Sequence, residues 1–386
     1  CIESIMESDY PKDKIDILIV NNMTKDDSFS IFCQCQKDFP ELHMNWLNAK
    51  QGKSRALNLA LFNSNGKYII HIDSDGVLET SAIRNMVTMF ENEDDVDCLT
   101  GTILTNPTQI DETRGFFKRF MQKLEFSEYC QAFLAGRNFQ SELNSIFTLS
   151  GAFSAFRKSS ILKSKLYNTD TVCEDTDVTF QIRDGMGKKI SLCYNAIFFV
   201  DPIESLNKLY VQRQRWQSGE LEVMHMFRKE KLHAARGFVS DFVTRVLMYD
   251  HTFAFPRMIW YFALICLAFI NYPLKLVVLS TLFMYFLYAI ANGLMYICII
   301  MFLKEFKDIR RYYMRKWYTV FILPFYNFVI FWFRFAGIIN SIKGVQSWKN
   351  RTMTEEWHSF GQIIKKDFLG ASEFLERLRN EVNNNE

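Results

Sequence analysis

The sequence lacks several features that would point to other kinds of protein. Lys and Arg (45) barely exceed Asp and Glu (43), giving a net charge of +2, so no global field calls for nucleic acid. No Cys or His pair has metal spacing. Cys33 and Cys35 are the only close pair among nine cysteines, and one intervening residue is not zinc-like. The remaining cysteines are scattered, several in apolar runs, so reduced thiols and a cytoplasmic soluble part are expected. There is no internal repeat, no long Gly/Ser linker and no low-complexity tract before Asn383-Asn384-Asn385. The chain begins at Cys1 without an initiator Met or a signal peptide, and is expected to be a fragment. Gly52-Lys53-Ser54 invites a P-loop reading, but that motif needs a Gly five positions before Gly52, where Leu47 stands.

What is present divides the chain. At 386 residues there is room for two or three domains. Residues 1–205 read as α/β. Ile15 to Val20 is a β-rich apolar run, and Asn21-Asn22 ends it. Ser54 to Leu61 reads as a helix and Tyr68 to Ile72 as the next strand. Thr80 to Phe90 is expected to be helical, with Thr80 or Ser81 as its cap. Val96 to Thr100 and Ile190 to Val200 are further strands. Residues 206–250 mix apolar residues with Arg, Lys and Gln, which suits amphipathic helices lying against a membrane or a neighbouring domain.

Residues 251–342 form a transmembrane region, and residues 343–386 a polar C-terminal tail. The apolar segments are 253–272, 276–303 and 318–342. A helix needs about 20 apolar residues to span a bilayer. The second segment has no charge before Lys304; the third is interrupted by Pro324 and Arg334. The first is short between Arg257 and Pro273, so it is expected to lie in the interface or re-enter, leaving two crossings and a cytoplasmic tail. Lys304 to Lys316 is dense in Lys and Arg, which marks a cytoplasmic loop.

Three clusters carry chemistry. Asp73-x-Asp75, at the end of a hydrophobic strand and before Gly76, can bind Mg²⁺ or Mn²⁺, which prefer oxygen ligands and bridge to phosphates. Open α/β sheets place ligands at that end of their strands. Lys53 is a candidate contact to phosphate or nucleotide, and His71 is expected to pack beside the acidic pair. Glu174-Asp175 precedes an expected helix from Val178 to Arg183. A carboxylate there is kept ionised by the helix dipole and can accept a proton from a sugar hydroxyl. Asp177 is read as a cap or as a residue supporting the site from behind, rather than as the base. Gln212-x-x-Arg215-Trp216 is the most specific element: Arg215 offers planar donors to phosphate, Trp216 a flat face to a sugar ring, and on a helix the three share one side. The Ser150 to Arg157 run is small and aromatic by turns, and its composition assigns it no function.

These residues, in this order, resemble glycosyltransferase family 2, in the membrane-bound branch of cellulose, chitin, hyaluronan and poly-N-acetylglucosamine synthases. The resemblance covers about residues 1–340. The Gly52 to Asn58 and Ser150 to Arg157 runs look most like the poly-N-acetylglucosamine branch and its Gram-positive relatives, including exosortase-associated glycosyltransferases. It implies a GT-A fold, Rossmann-like and nucleotide-sugar-binding, and an inverting transfer from a UDP-sugar to a growing polysaccharide at the plasma membrane. It also implies partners: a nucleotide-sugar donor, a glycan acceptor, the lipid bilayer, and export or accessory membrane subunits. Carried over by position, Asp73 and Asp75 would hold UDP and the metal, and Asp175 would be the base. Glu174 and Lys53 would border the donor, and Gln212, Arg215 and Trp216 the acceptor end and pyrophosphate. Where many relatives carry an acidic pair after the first strand here, this chain has Asn21-Asn22. A non-processive enzyme making a glycolipid or lipid-linked sugar, or a degenerate scaffold subunit, are the alternatives.

Overall fold

The computed structural model describes residues 1–171, 173–230, 254–270, 272–342 and 352–358. Strands β1 (Asp16–Asn21) and β2 (His43–Asn48) pair in parallel, with Asp16 opposite His43. A parallel pair needs a crossover, supplied by helix α1 (Ser28–Asp38), which the sequence reading did not anticipate. Helix α2 (Lys53–Asn63) then leads into β3 (Tyr68–Ile72).

The main sheet is mixed. Its order is β3-β6-β5-β7-β4, with β4 at Val77–Leu78, β5 at Val96–Thr105, β6 at Phe153–Arg157 and β7 at Lys189–Val200. β5 runs parallel to β7, and the other pairs are antiparallel. Every residue of β5 is buried, because both faces of this central strand are covered. Helix α3 (Ala82–Asn92) lays Ala82, Ile83, Met86 and Phe90 on the sheet. Ser81 stands at its cap position, but the Ser81 hydroxyl donates to Glu79 and caps nothing. Strand β5 extends five residues beyond the expected Thr100. Helix α4 (Phe116–Tyr129) continues through a wider turn at Cys130–Gly136.

Helix α5 (Glu174–Phe180) starts four residues earlier than the expected Val178, so Glu174 and Asp175 lie inside its first turn. Asp177 is no cap: it is buried and accepts from Gln181 at 2.6 Å. Helix α6 runs unbroken over Leu206–Glu230; the rest of the expected amphipathic region, 231–250, lies outside the described residues. The apolar segments form α7 (Ala254–Phe269), α8 (Leu274–Phe302) and α10 (Thr319–Ile342), with the short α9 (Lys307–Met314) between the last two. Helices α8 and α10 are long and apolar enough to cross a membrane, and α7 is shorter. Side chains such as Leu279 (62% exposed) and Phe283 (58%) on α8 are uncovered. Helix α10 is not interrupted at Pro324 or Arg334. Pro324 lies inside it, where it forgoes the hydrogen bond to the Val320 carbonyl and its ring crowds that carbonyl.

The apolar helices share cores with the α/β part. Ile299, Leu303 and Tyr313 join the cluster beneath the main sheet. Met121 and Leu124 of α4, Leu209 and Tyr210 of α6, and Leu323, Tyr326 and Ile330 of α10 form another. A Cβ on Gly337 of α10 would stand 2.8 Å from the carbonyl oxygen of Gln214 on α6, so only glycine lets these helices approach so closely. Of the expected tail, the described residues 352–358 pack on α6 and α10. Asn207 bonds Thr354 at 2.8 Å, and Glu356 accepts from Tyr210 and, at 2.8 Å, from Asn340.

Candidate active site

The site begins where β3 ends. Ile72 is the last strand residue, so Asp73 leaves the sheet at its carboxyl edge, and its backbone N–H donates to the Ala152 carbonyl at 3.0 Å. Lys53 opens α2 after Gly52, whose φ of +130° is strained for any residue with a side chain. The Gly52 amide is held by Asn22 Oδ1 at 2.6 Å. Lys53 Nζ donates to Asp73 Oδ1 at 2.7 Å and to the Gly151 carbonyl at 3.1 Å, and stands 3.8 Å from Glu174 Oε1. One ammonium thus joins three segments.

Charges shift accordingly. Burial lowers the Lys53 pKa, but the Asp73 and Glu174 carboxylates outweigh it and leave it raised. Burial would raise Asp73; the nearby His71 ring and the Lys53 charge reverse that and hold it below its ordinary value. His71 is buried with Nε2 3.7 Å from Asp73, beside the acidic pair as expected, and burial lowers its pKa. Glu174 is only 5% exposed; burial, then the Asp175 charge, push it up to about 7 against the pull of Lys53.

Asp75 is exposed and has no polar partner among the described residues. Gly76 after it is obligatory, because the Phe198 ring and the Phe199 carbonyl occupy the place of a Cβ. Among the described residues no group of three or more His, Cys, Asp or Glu side chains is placed to hold a metal ion, and Asp73 and Asp75 are the two carboxylates that follow β3. Hard oxygen donors of this kind fit Mg²⁺ or Mn²⁺, whose other positions go to phosphate and water.

Asp175 lies beside this group. Its Oδ1 accepts from the Thr176 N–H at 2.7 Å, and its carboxylate faces Gly151, where a Cβ would come within 2.9 Å of Oδ2. The Ser150 to Arg157 run therefore has a structural part to play: Gly151 accepts from Lys53 and leaves room for Asp175, and Ala152 holds Asp73. The Ser150 N–H donates to Thr100 Oγ1 at 3.0 Å, and buried Arg137 donates to the same oxygen at 3.2 Å. Burial lowers the Arg137 pKa to about 10, while the nearby Asp175 and Glu220 charges support it.

Helix α6 closes another side. Gln212, Arg215 and Trp216 are half-buried. The Trp216 ring packs edge-on to Phe133 at 6.0 Å and near Tyr129 at 6.4 Å. Gln212 Oε1 is buried with no hydrogen-bond partner among the described residues. Gly219, one turn beyond Trp216 on the same side, abuts the Cys173 sulfur with no space for a Cβ. Cys173 immediately precedes Glu174 and Asp175, so the helix bearing Trp216 and the one bearing Asp175 meet there. Among the described residues no hydrogen bond or ion pair ties Gln212 or Trp216 to Asp73, Asp75 or Asp175.

Sequence reasoning passed over Arg213. It is 0% exposed, donates to Glu128 Oε2 at 2.6 Å, and lays its guanidinium 4.3 Å over the Trp216 ring. Tyr326 of α10 donates to the same Glu128 oxygen at 3.2 Å. A second Arg three residues before Trp216, inside the Gln212-x-x-Arg215-Trp216 element, was the available signal, since a buried guanidinium needs an acid. Arg137 carries no local sequence signal at all.

Comparison with known proteins places this geometry. Residues 1–163 match the family Glycosyl transferase family 2. A poly-beta-1,6-N-acetyl-D-glucosamine synthase of Staphylococcus epidermidis is 24% identical over 274 residues, covering 69% of this chain and 59% of that protein. The synthase of that name from Staphylococcus aureus strain COL is 24% identical over 212 residues, 55% of this chain and 49% of its own. The chain thus spans about half the length of the curated relatives it matches. A mannosyltransferase from Pyrobaculum calidifontis, solved with GDP-Man and Mn²⁺, superposes with a TM-score of 0.51 at 16% identity, over 84% of this chain and 82% of its own. The fold is GT-A-like, and residues 1–163 are a glycosyl transferase family 2 domain.

Proposed function

We propose that this chain, built on a family 2 glycosyltransferase domain, is a membrane-bound inverting enzyme that transfers a sugar from a UDP-sugar to a growing polysaccharide. The observation that carries the reading is the convergence of Asp73, Glu174 and the Gly151 carbonyl on Lys53, with Asp175 facing Gly151 and the helix bearing Trp216 meeting Cys173 just before Glu174. The name shared by the relatives makes UDP-N-acetylglucosamine the first donor to test.

In this reading Asp175 accepts the proton of the acceptor hydroxyl as that oxygen attacks C1 of the donor sugar. The new C1–O bond forms on the face opposite the departing phosphate oxygen, the old C1–O bond breaks, and the electron pair leaves with UDP. Asp175 suits this work because one carboxylate oxygen is held by the Thr176 amide and the other faces Gly151, which fixes its direction. A divalent cation held by Asp73 and Asp75 would offset charge on the leaving diphosphate. Lys53 adds a fixed positive charge beside Asp73, aimed at the same phosphates. Trp216 offers the acceptor ring a flat face, backed by Phe133, Tyr129 and Arg213. Helices α8 and α10, with their exposed apolar sides, hold this chemistry at a bilayer; the family 2 domain lies on the cytoplasmic side with the basic α8–α10 loop.

The test is product analysis. Membranes containing the chain are incubated with a panel of UDP-sugars and with GDP-mannose. UDP release coupled to a polymeric product is expected. A product one sugar longer than its acceptor would replace the polymerase reading with the non-processive one. No transfer from any donor, with the protein folded and in the membrane, would remove the catalytic reading.

A further inference from the structure

Helix α9 takes no part in the proposed reaction, yet it is a built feature. Lys307, Arg310, Arg311, Met314 and Arg315 recur at i, i+3, i+4, i+7 and i+8 and so share one side of the helix. They line one cavity of about 540 Å³. The other side is pinned to the α/β part. Tyr312 meets Phe126 of α4 edge-on at 5.0 Å, and Tyr313 is buried 6.3 Å from the same ring. The basic side is therefore held facing outward.

No carboxylate answers it. Glu305 and Asp308 flank these cations in sequence, but none of the four is ion-paired among the described residues. The Arg310 Nε is buried and has no hydrogen-bond partner among them. Four like charges around one cavity repel each other, and an anion with several oxygen acceptors relieves both the repulsion and the unmet donor.

The surroundings select the anion. Helix α9 connects the end of α8 to the start of α10, the two helices long enough to cross a membrane. Met314 (47% exposed) and Trp317 (61%) stand uncovered at its end, next to exposed Phe321 on α10. Trp at this level is the usual side chain of a membrane–water boundary. A soluble polyphosphate would use the cations and leave the apolar rim uncovered. A lipid with a phosphate headgroup uses both.

We infer that the basic side of α9 is a binding site for an anionic phospholipid, whose headgroup phosphate takes Arg310, Arg311, Arg315 and Lys307 while its acyl chains run along α8 and α10. The inference rests on the membrane reading above. The test uses the full chain in vesicles of phosphatidylcholine alone or with phosphatidylglycerol, and native mass spectrometry of lipid retained in mild detergent. Phosphatidylglycerol should be retained in preference to phosphatidylcholine. A basic residue at an anionic surface is worth about fivefold in affinity, so Lys307→Gln/Arg311→Gln/Arg315→Gln together should lose about a hundredfold, and Arg311→Lys little. Insertion without preference between the two lipids would overturn the site and leave the membrane reading standing. Displacement of phosphatidylglycerol by pyrophosphate would make it a free-phosphate site instead. Failure to enter either vesicle would remove both readings. The wild-type comparison decides even if the triple variant does not fold.

Discussion

The Cα of Gly151 faces the carboxylate of Asp175, with room for nothing larger: a Cβ there would lie 2.9 Å from Oδ2. Gly151→Ala should keep the fold, because the obstructing atom is the free end of a side chain that can rotate away. It should turn the carboxylate out of line and lower transfer on the order of tenfold to a hundredfold. Steady-state transfer and a thermal melt, measured together, check this. Unchanged transfer would mean that the direction of Asp175 is unimportant.

Asp175→Asn removes the proposed proton acceptor and keeps its shape. Transfer should fall by about 10²–10⁴, with donor binding by calorimetry near wild type, since Lys53, Asp73 and Asp75 remain. Turnover close to wild type would assign the base elsewhere.

Asp73→Ala and Asp75→Ala should each weaken UDP binding in the presence of Mg²⁺ or Mn²⁺, and EDTA should silence the wild type. Exposed Asp75 contributes no packing, so its loss should leave the melting temperature unchanged. Asp73→Ala also strips Lys53 of its closest partner, leaving the Gly151 carbonyl at 3.1 Å and Glu174 at 3.8 Å. Tight UDP binding indifferent to EDTA would contradict the pairing of these two carboxylates with a cation.

Glu174 makes stability depend on pH. Its carboxyl is raised from 4.5 to about 7 in the folded chain, chiefly by burial. Between those values the unfolded chain has already released this proton while the folded chain keeps it. Stability from this group is therefore fully present below about pH 4.5 and lost as pH rises through about 7, with roughly 3 kcal/mol as the upper bound. Glu174→Gln should flatten that fall. Buried Glu125, also raised to about 7, would keep part of it. Melting curves at several pH values compare the two proteins, and identical slopes would rule out Glu174 as the source.

Trp216→Ala should impair elongation more than hydrolysis of the donor to free sugar, because water needs no stacking face. The ratio of polymer formed to UDP released is the readout. Equal loss of both would make Trp216 a packing residue for Arg213, Phe133 and Tyr129.

What the sequence determined by itself is what rests on short range. A five-residue apolar run fixes β3, and so puts Asp73 and Asp75 at a strand end. Helical spacing gathers Gln212 and Trp216 on one side of α6. An uncharged run from 276 to 303 requires a long apolar helix. These follow from periodicity and from the apolar length a membrane demands. The tertiary structure decided the rest, because the partners are far apart along the chain. Gly151 meets Asp175 only because β6 is inserted between β3 and β5, an order no local pattern encodes. Arg213 finds Glu128 85 residues away, with Tyr326 from a later helix on the same oxygen. What was legible of Lys53 was a lysine proposed to contact phosphate or nucleotide. Its link between Asp73 and Glu174 was not legible, because long-range charge pairing is set by how the layers pack, and packing is a property of the whole chain.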